Sequence, residues 1–73
     1  MEELLTILKE AKPEIDFSTE KKLVDNSIFD SFDIVQLVMQ LNEAFDIEIG
    51  AEEIVPENFN SAESIWQMIQ RLQ

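Results

Sequence analysis

The sequence contains no cysteine and no histidine among its 73 residues. Without cysteine no disulfide can form, and without either residue the usual ligands of a structural zinc site are missing. A serine in this chain also has no histidine to serve as its general base, which excludes the common serine-hydrolase mechanism. We therefore expect a fold held by side-chain packing alone, and a protein that is not an enzyme.

Basic residues are also scarce, with five lysines and arginines against sixteen aspartates and glutamates and a net charge of −11. The excess lies in residues 25–73, which contain ten acids and a single base, Arg71. Such a surface repels phosphate backbones, so we expect no nucleic-acid binding. It attracts basic protein surfaces and accelerates encounters with them at low salt, although solubility alone would also explain the charge.

Long hydrophobic runs are absent as well. No apolar stretch approaches the roughly 20 residues that span a bilayer. The segment Met1–Leu5 is acidic where a signal peptide is basic. An apolar fraction of 45% is normal for a globular domain and too high for a disordered acidic tail. We expect a single cytoplasmic domain, residues 1–73, that is monomeric and does not insert into membranes.

Apolar spacing predicts a helix at the N-terminus and then a long loop. Leucines recur at helical spacing near the start of the chain, and Pro13 ends this first helix. Residues 13–29 show no sustained period, and a loop of this length needs apolar anchors in so small a domain. We expect Ile28 and Phe29 to be buried.

A second helix is predicted from about Asp30 or Ser31 to Phe45, because both of the first two residues are good N-caps. Its core stripe consists of Ile34, Leu37, Val38, Leu41 and Phe45. A second apolar patch on a different arc consists of Phe32, Val35 and Met39. This patch is either buried by a neighbouring segment or exposed for a partner.

The remaining third of the chain predicts short elements and a last helix. Residues 46–49 alternate apolar and acidic side chains but are too few to build a sheet, so we expect an extended connector. One helical turn is predicted at Ala51–Ile54, and a short helix at Pro56–Phe59 with proline near its first position. Asn60 and Glu63 have the spacing of a capping box before the last helix. The predicted fold is all-α, a small four-helix bundle with three main helices, one short helix and a long first loop.

The tetrapeptide Asp30-Ser31-Phe32-Asp33 stands where the second helix should begin. A serine at such a position commonly serves only as a helix cap, and this explanation stays open. Asp30, however, can cap the helix by itself. The Ser31 hydroxyl would then be available for modification by another protein.

This tetrapeptide and the residues after it resemble the modification site of acyl and peptidyl carrier proteins. In that family an Asp-Ser-Leu motif, or a variant with another apolar third residue, opens the second helix of a four-helix bundle. Phe32 stands where leucine is commonest, which can alter the choice of partner but does not remove the hydroxyl. The resemblance covers nearly the whole chain, is strongest over residues 30–49 and is weak over residues 1–24.

The resemblance implies that Ser31 receives 4′-phosphopantetheine from coenzyme A through a separate, magnesium-dependent phosphopantetheinyl transferase. The thiol of this arm would hold an acyl or aminoacyl cargo as a thioester and present it to loading and processing enzymes with basic docking surfaces. Asp30 would lie near the transferase's metal-bound phosphate. The residues that match the partner-binding surface are Phe32, Val35, Met39, Glu43, Asp46 and Glu48. Fatty acyl, polyketide, amino acid and D-alanyl cargoes all stay open, as does excision from a larger synthase.

The alternative from another class is an unmodified interaction domain. It would bind a basic partner through the same acidic and apolar face, with Ser31 acting only as a cap. A metal site is not expected. The nearest match to a calcium-binding loop begins at Asp25, but Phe29 replaces an oxygen ligand and Asp30 replaces the glycine of the tight turn.

Overall fold

The computed structural model describes residues 2–73, and within that range it contains helices and no β-strand. The α-helices are α1 (Glu2–Ala11), α2 (Ser31–Phe45), α3 (Pro56–Phe59) and α4 (Ala62–Leu72), and one turn of 3₁₀-helix lies at Ala51–Glu53. Helix α1 packs against α2 and α4, and α3 packs against α4. The predicted all-α bundle with one short helix and a long first loop is confirmed. No helix in residues 2–73 combines the length and apolarity needed to cross a membrane.

The core is built from one face of each helix and from anchors in the connecting segments. The buried apolar side chains are Leu4, Leu8, Phe17, Leu23, Phe29, Ile34, Leu37, Val38, Leu41, Ile49, Phe59, Ala62, Ile65, Met68 and Ile69. Burying a large apolar side chain contributes about 1.5–3 kcal/mol, which explains how so short a chain folds without disulfides. Phe45, predicted in the core stripe, is only half-buried, and its ring meets Trp66 edge-on with centroids 6.0 Å apart.

The first loop is anchored by aromatic and aliphatic side chains. Phe17, Leu23 and Phe29 are buried. The rings of Phe17 and Phe29 stack with centroids 6.1 Å apart and an interplanar angle of 19°. The predicted burial of Phe29 is confirmed, but Ile28 is only half-buried. The stacked Phe29 ring occupies the inward position, so Ile28 packs at the margin of the core.

Asn42 organises the end of α2 and the connector after it. Its backbone oxygen accepts hydrogen bonds from the N–H groups of Asp46 and Ile47. Its side-chain Oδ1 accepts one from the N–H of Ile49 at 2.9 Å. Asp46 ends the helix in the left-handed conformation, with φ of 54°. The predicted extended connector therefore does not include Asp46. Residues 47–49 belong to no helix or strand, and Gly50 has ordinary extended backbone before the 3₁₀-helix.

Helix α4 begins one residue later than the sequence predicts. Ser61 is the N-cap, and its Oγ accepts a hydrogen bond from the Ser64 N–H at 3.1 Å. The predicted capping box between Asn60 and Glu63 is therefore wrong. The serine pair offers the same three-residue spacing, and the Asn60 side chain binds the first loop instead.

Candidate functional site

Ser31 is the first residue of α2, and Asp30 is its N-cap. Asp30 Oδ1 accepts a hydrogen bond from the Asp33 N–H at 2.8 Å, and Asp33 Oδ2 accepts one from the Asp30 N–H at 3.4 Å. This reciprocal pair is a capping box in which both partners are aspartates. The Ser31 side chain is exposed and, within residues 2–73, its hydroxyl has no hydrogen-bond partner. The hydroxyl that capping could have used is therefore not engaged.

Two backbone N–H groups remain open at the start of α2. An α-helix leaves the first four N–H groups without intrahelical acceptors, and the capping box satisfies those of Asp30 and Asp33. The N–H groups of Ser31 and Phe32 have no acceptor in the described part of the chain. Open N–H groups and the positive end of the helix dipole both favour an anion here. An exposed hydroxyl in this setting fits a phosphate ester on Ser31.

Lys12 brings a cation to the same helix start. Its Nζ lies 3.3 Å from Asp33 Oδ2, and its backbone N–H donates to the Leu8 oxygen at 2.9 Å. The ion pair thus links the end of α1 to the first turn of α2. The sequence did not reveal this contact, because no local pattern relates residues so far apart along the chain.

The second apolar patch of α2 is uncovered in the structure. Phe32, Val35 and Met39 are 71%, 53% and 64% exposed. The sequence left open whether this patch is buried or exposed, and the structure shows that it is exposed. Ile54, beside the 3₁₀-helix, is a further exposed apolar residue at 38%, and periodicity did not single it out.

Met39 and Glu43 also line a shallow groove of about 440 Å³ between α1 and α2. The other lining residues are Glu3, Ile7, Gln36, Gln40 and Ala44. The groove is therefore lined by apolar, amide and acidic side chains, and none of its lining residues is basic. Its chemistry suits a basic side chain with an aliphatic stem.

The three acids predicted for partner binding are all exposed but do not lie on one helix face. Glu43 lies in the last turn of α2, Asp46 is the C-cap, and Glu48 lies in the connector. The last turn of α2 contains no basic residue. A helix C-terminus favours cations, so acids at this end do not serve the stability of the helix.

The carboxylates with a shifted pKa, Glu53 and Asp16, form no hydrogen bond to Ser31. Hydrogen bonds from Arg71 lower the pKa of Glu53, and the same contact raises the pKa of Arg71. The guanidinium contacts both carboxylate oxygens, at 2.9 and 3.0 Å. Hydrogen bonds from Ser18 lower the pKa of Asp16. These contacts fasten the 3₁₀-helix to α4 and close a turn of the first loop, so their roles are structural.

Comparison with known proteins identifies the family of the chain. The family described as "Phosphopantetheine attachment site" matches residues 1–69. The acyl carrier protein of Buchnera aphidicola subsp. Baizongia pistaciae is 43% identical over 54 residues, covering 74% of this chain and 67% of that protein. Aminoacyl carrier protein 1 of Bradyrhizobium diazoefficiens is 36% identical over 63 residues, covering 86% and 69%.

A third relative matches along almost the full length of both chains. The D-alanyl carrier protein of Lactobacillus delbrueckii subsp. bulgaricus is 32% identical over 73 residues, covering 97% of this chain and 90% of that protein. No match was found among solved structures. The chain therefore belongs to the phosphopantetheine-attachment family of carrier proteins, which hold their cargo on covalently bound 4′-phosphopantetheine and are not enzymes.

Proposed function

We propose that this protein carries an acyl or aminoacyl group as a thioester on 4′-phosphopantetheine attached to Ser31, and presents it to partner enzymes. The single observation that carries the proposal is the Ser31 hydroxyl, which is exposed at the first position of α2 and is spared from capping by Asp30. In this proposal residues 1–73 form one carrier domain, which works in the cytoplasm.

Ser31 Oγ is the nucleophile in the attachment step. It forms a bond to the phosphorus that bears the pantetheine of coenzyme A, the pyrophosphate bond breaks, and 3′,5′-ADP leaves. In this proposal the hydroxyl proton passes to a base that the transferase supplies. The bound group supplies a thiol, which a chain without cysteine needs in order to hold a thioester.

Three groups around Ser31 assist this chemistry in the proposal. The open N–H groups of Ser31 and Phe32 favour the negative charge of the phosphodiester. Asp30 uses Oδ1 for the capping bond and keeps Oδ2 free of hydrogen bonds within residues 2–73. That second oxygen is available to the transferase's metal-bound phosphate site.

The proposed docking surface consists of Phe32, Val35, Met39, Glu43, Asp46 and Glu48. Its apolar side chains are exposed to water, which is unfavourable, and an interface with a partner would bury them. Its acids lie at the end of α2, where they do not stabilise the helix. The partners that fit this surface are a phosphopantetheinyl transferase and the loading and processing enzymes, each through a basic surface with an apolar centre.

The test is incubation with coenzyme A and a promiscuous phosphopantetheinyl transferase, followed by mass spectrometry of the intact chain. The wild-type protein should gain the mass of one 4′-phosphopantetheine, and Ser31→Ala should gain none. Ser27→Gly is the matched control, because it removes a nearby exposed hydroxyl and suits the positive φ of 59° at that position.

The control variant should be labelled like the wild type. An unlabelled wild-type protein would overturn the proposal and favour an unmodified interaction domain. Labelling of Ser31→Ala would move the attachment to another residue.

A further inference from the structure

We infer that Asn60 is a positioning residue for the Ser31 attachment site. This role rests on the proposed function of Ser31. Asn60 lies between α3 and α4 and touches none of the reacting groups. It acts through the first loop, which delivers the chain to the start of α2.

The Asn60 side chain binds two consecutive backbone groups of that loop. Its Oδ1 accepts hydrogen bonds from the N–H groups of Val24 at 3.0 Å and Asp25 at 3.1 Å. Its Nδ2 donates to Asp25 Oδ2 at 3.3 Å. Its backbone oxygen accepts a hydrogen bond from the Leu23 N–H at 2.9 Å. One residue thus fixes three successive positions of a segment that has no helix or strand of its own.

Leu23 transmits this constraint towards Ser31. The Leu23 oxygen accepts a hydrogen bond from the Phe29 N–H at 3.0 Å, and both side chains are buried. Phe29 immediately precedes Asp30, the N-cap of α2. The placement of Leu23 therefore helps to determine the position of the capping box and of the Ser31 hydroxyl.

Asparagine is the side chain that suits these contacts. Its carbonyl oxygen has two lone pairs for two N–H groups, and its amide nitrogen can donate to a carboxylate. Aspartate would keep the acceptor but set a second carboxylate against Asp25. Alanine would leave the N–H groups of Val24 and Asp25 without this partner.

The first experiment compares kcat/KM for transferase labelling of the wild type, Asn60→Ala and Ile69→Val. Ile69 is fully buried in α4, so its truncation lowers stability while leaving the hydrogen bonds of Asn60 in place. All proteins are assayed at a temperature where Trp66 fluorescence shows them folded. We expect kcat/KM to fall about tenfold for Asn60→Ala, the size of effect expected for losing a shared acceptor, and to change less than about twofold for Ile69→Val.

Amide hydrogen exchange provides a readout that global instability does not imitate. In Asn60→Ala the Phe29 amide should exchange faster than in the wild type. The amide of Leu37, in the middle of α2, should keep its wild-type exchange rate once both rates are corrected for the change in global stability. A loss of overall stability alone would accelerate both amides together.

A donor–carboxylate exchange tests the chemistry of the contact. Asn60→Asp should slow labelling at neutral pH, because two carboxylates then face each other. Adding Asp25→Asn should restore the rate, since the carboxylate and the amide donor have exchanged positions.

The outcomes separate this role from the function of Ser31. If the wild type is labelled and Asn60→Ala matches it in both labelling and Phe29 exchange, the positioning role is wrong and the attachment site stands. If the wild type is not labelled, the carrier proposal fails. The Phe29 exchange rate then still reports whether Asn60 holds the loop.

Discussion

The Asp30 carboxylate accepts a hydrogen bond from the backbone N–H of Asp33 at 2.8 Å, and this bond caps the N-terminus of α2. Ser31 lies between the two and takes no part in the capping. The residue that stabilises the helix start and the residue proposed to carry the arm are therefore different side chains. This division allows stability and modification to be tested separately.

Asp30→Ala should lower the free energy of unfolding by about 1 kcal/mol, because it removes the N-cap. Ser31→Ala should change the free energy of unfolding by less than about 0.5 kcal/mol, because the hydroxyl that it removes is exposed and makes no hydrogen bond within residues 2–73. Urea unfolding followed by Trp66 fluorescence measures both. Equal losses in the two variants would show that the serine contributes to the cap.

Asp30→Asn refines this comparison, because asparagine is also a good N-cap. Its stability should stay close to that of the wild type. If labelling by the transferase nevertheless falls, the Asp30 carboxylate serves the modification as well as the helix. Unchanged labelling would restrict Asp30 to capping.

Val35→Glu and Met39→Glu should weaken docking of the transferase while leaving the fold intact. Both side chains are more than half exposed, so a charge there disturbs an interface and little of the core. The measurements are kcat/KM for labelling and the helical circular dichroism of each variant. Gln70→Glu is the control, because it adds the same charge at an exposed position of α4.

Unfolding of either patch variant would contradict the exposure seen in the structure. Equal weakening by Gln70→Glu would point to overall charge rather than to the patch. A loss confined to Val35→Glu and Met39→Glu would identify the docking surface.

Periodicity and capping rules were sufficient to predict the helices and a start of α2 at Asp30 or Ser31. These rules describe interactions within a few residues, and the Asp30–Asp33 capping box is such an interaction. The family resemblance then supplied the chemical interpretation of the exposed serine. The position of the proposed site and the architecture around it were thus accessible without coordinates.

Contacts between distant segments were not accessible in the same way. Asn60 was predicted to cap α4, but its side chain binds the first loop. The sequence does not separate the two roles, because a helix cap and a loop anchor use the same side-chain groups. Lys12 pairs with Asp33, and Asn42 holds Ile49, through contacts that no periodic pattern encodes. Ile28 and Phe29 are both large and apolar, and the sequence does not reveal that Phe29 stacks on Phe17 while Ile28 stays half-buried.

Glu53→Gln should reduce the free energy of unfolding at neutral pH and make that free energy depend less on pH in the acid range. The bond to Arg71 lowers the pKa of Glu53 in the folded state, so its contribution is present above the unfolded pKa and is lost as pH falls through the folded pKa. The difference between variant and wild type should therefore shrink on acidification. Urea unfolding across the acid range measures this difference.

Glu57→Gln is the matched control, because Glu57 is exposed in the neighbouring helix α3 and has no salt-bridge partner within residues 2–73. It should lower the stability at neutral pH by less than Glu53→Gln does, because no ion pair is lost. If Glu53→Gln behaves like this control, the pair with Arg71 does not contribute to folding in solution.

The association rate with the transferase should fall as salt is added. Most of the chain's excess negative charge lies in residues 25–73, and screening shortens its reach to about 10 Å at 0.1 M ionic strength. Glu43→Gln should reduce both the rate at low salt and its salt dependence, because Glu43 lines the groove beside Met39. Glu14→Gln, an exposed acid in the first loop, should have a smaller effect on both. A rate that does not respond to salt would remove electrostatic steering and leave the exposed apolar patch of α2 as the determinant of docking.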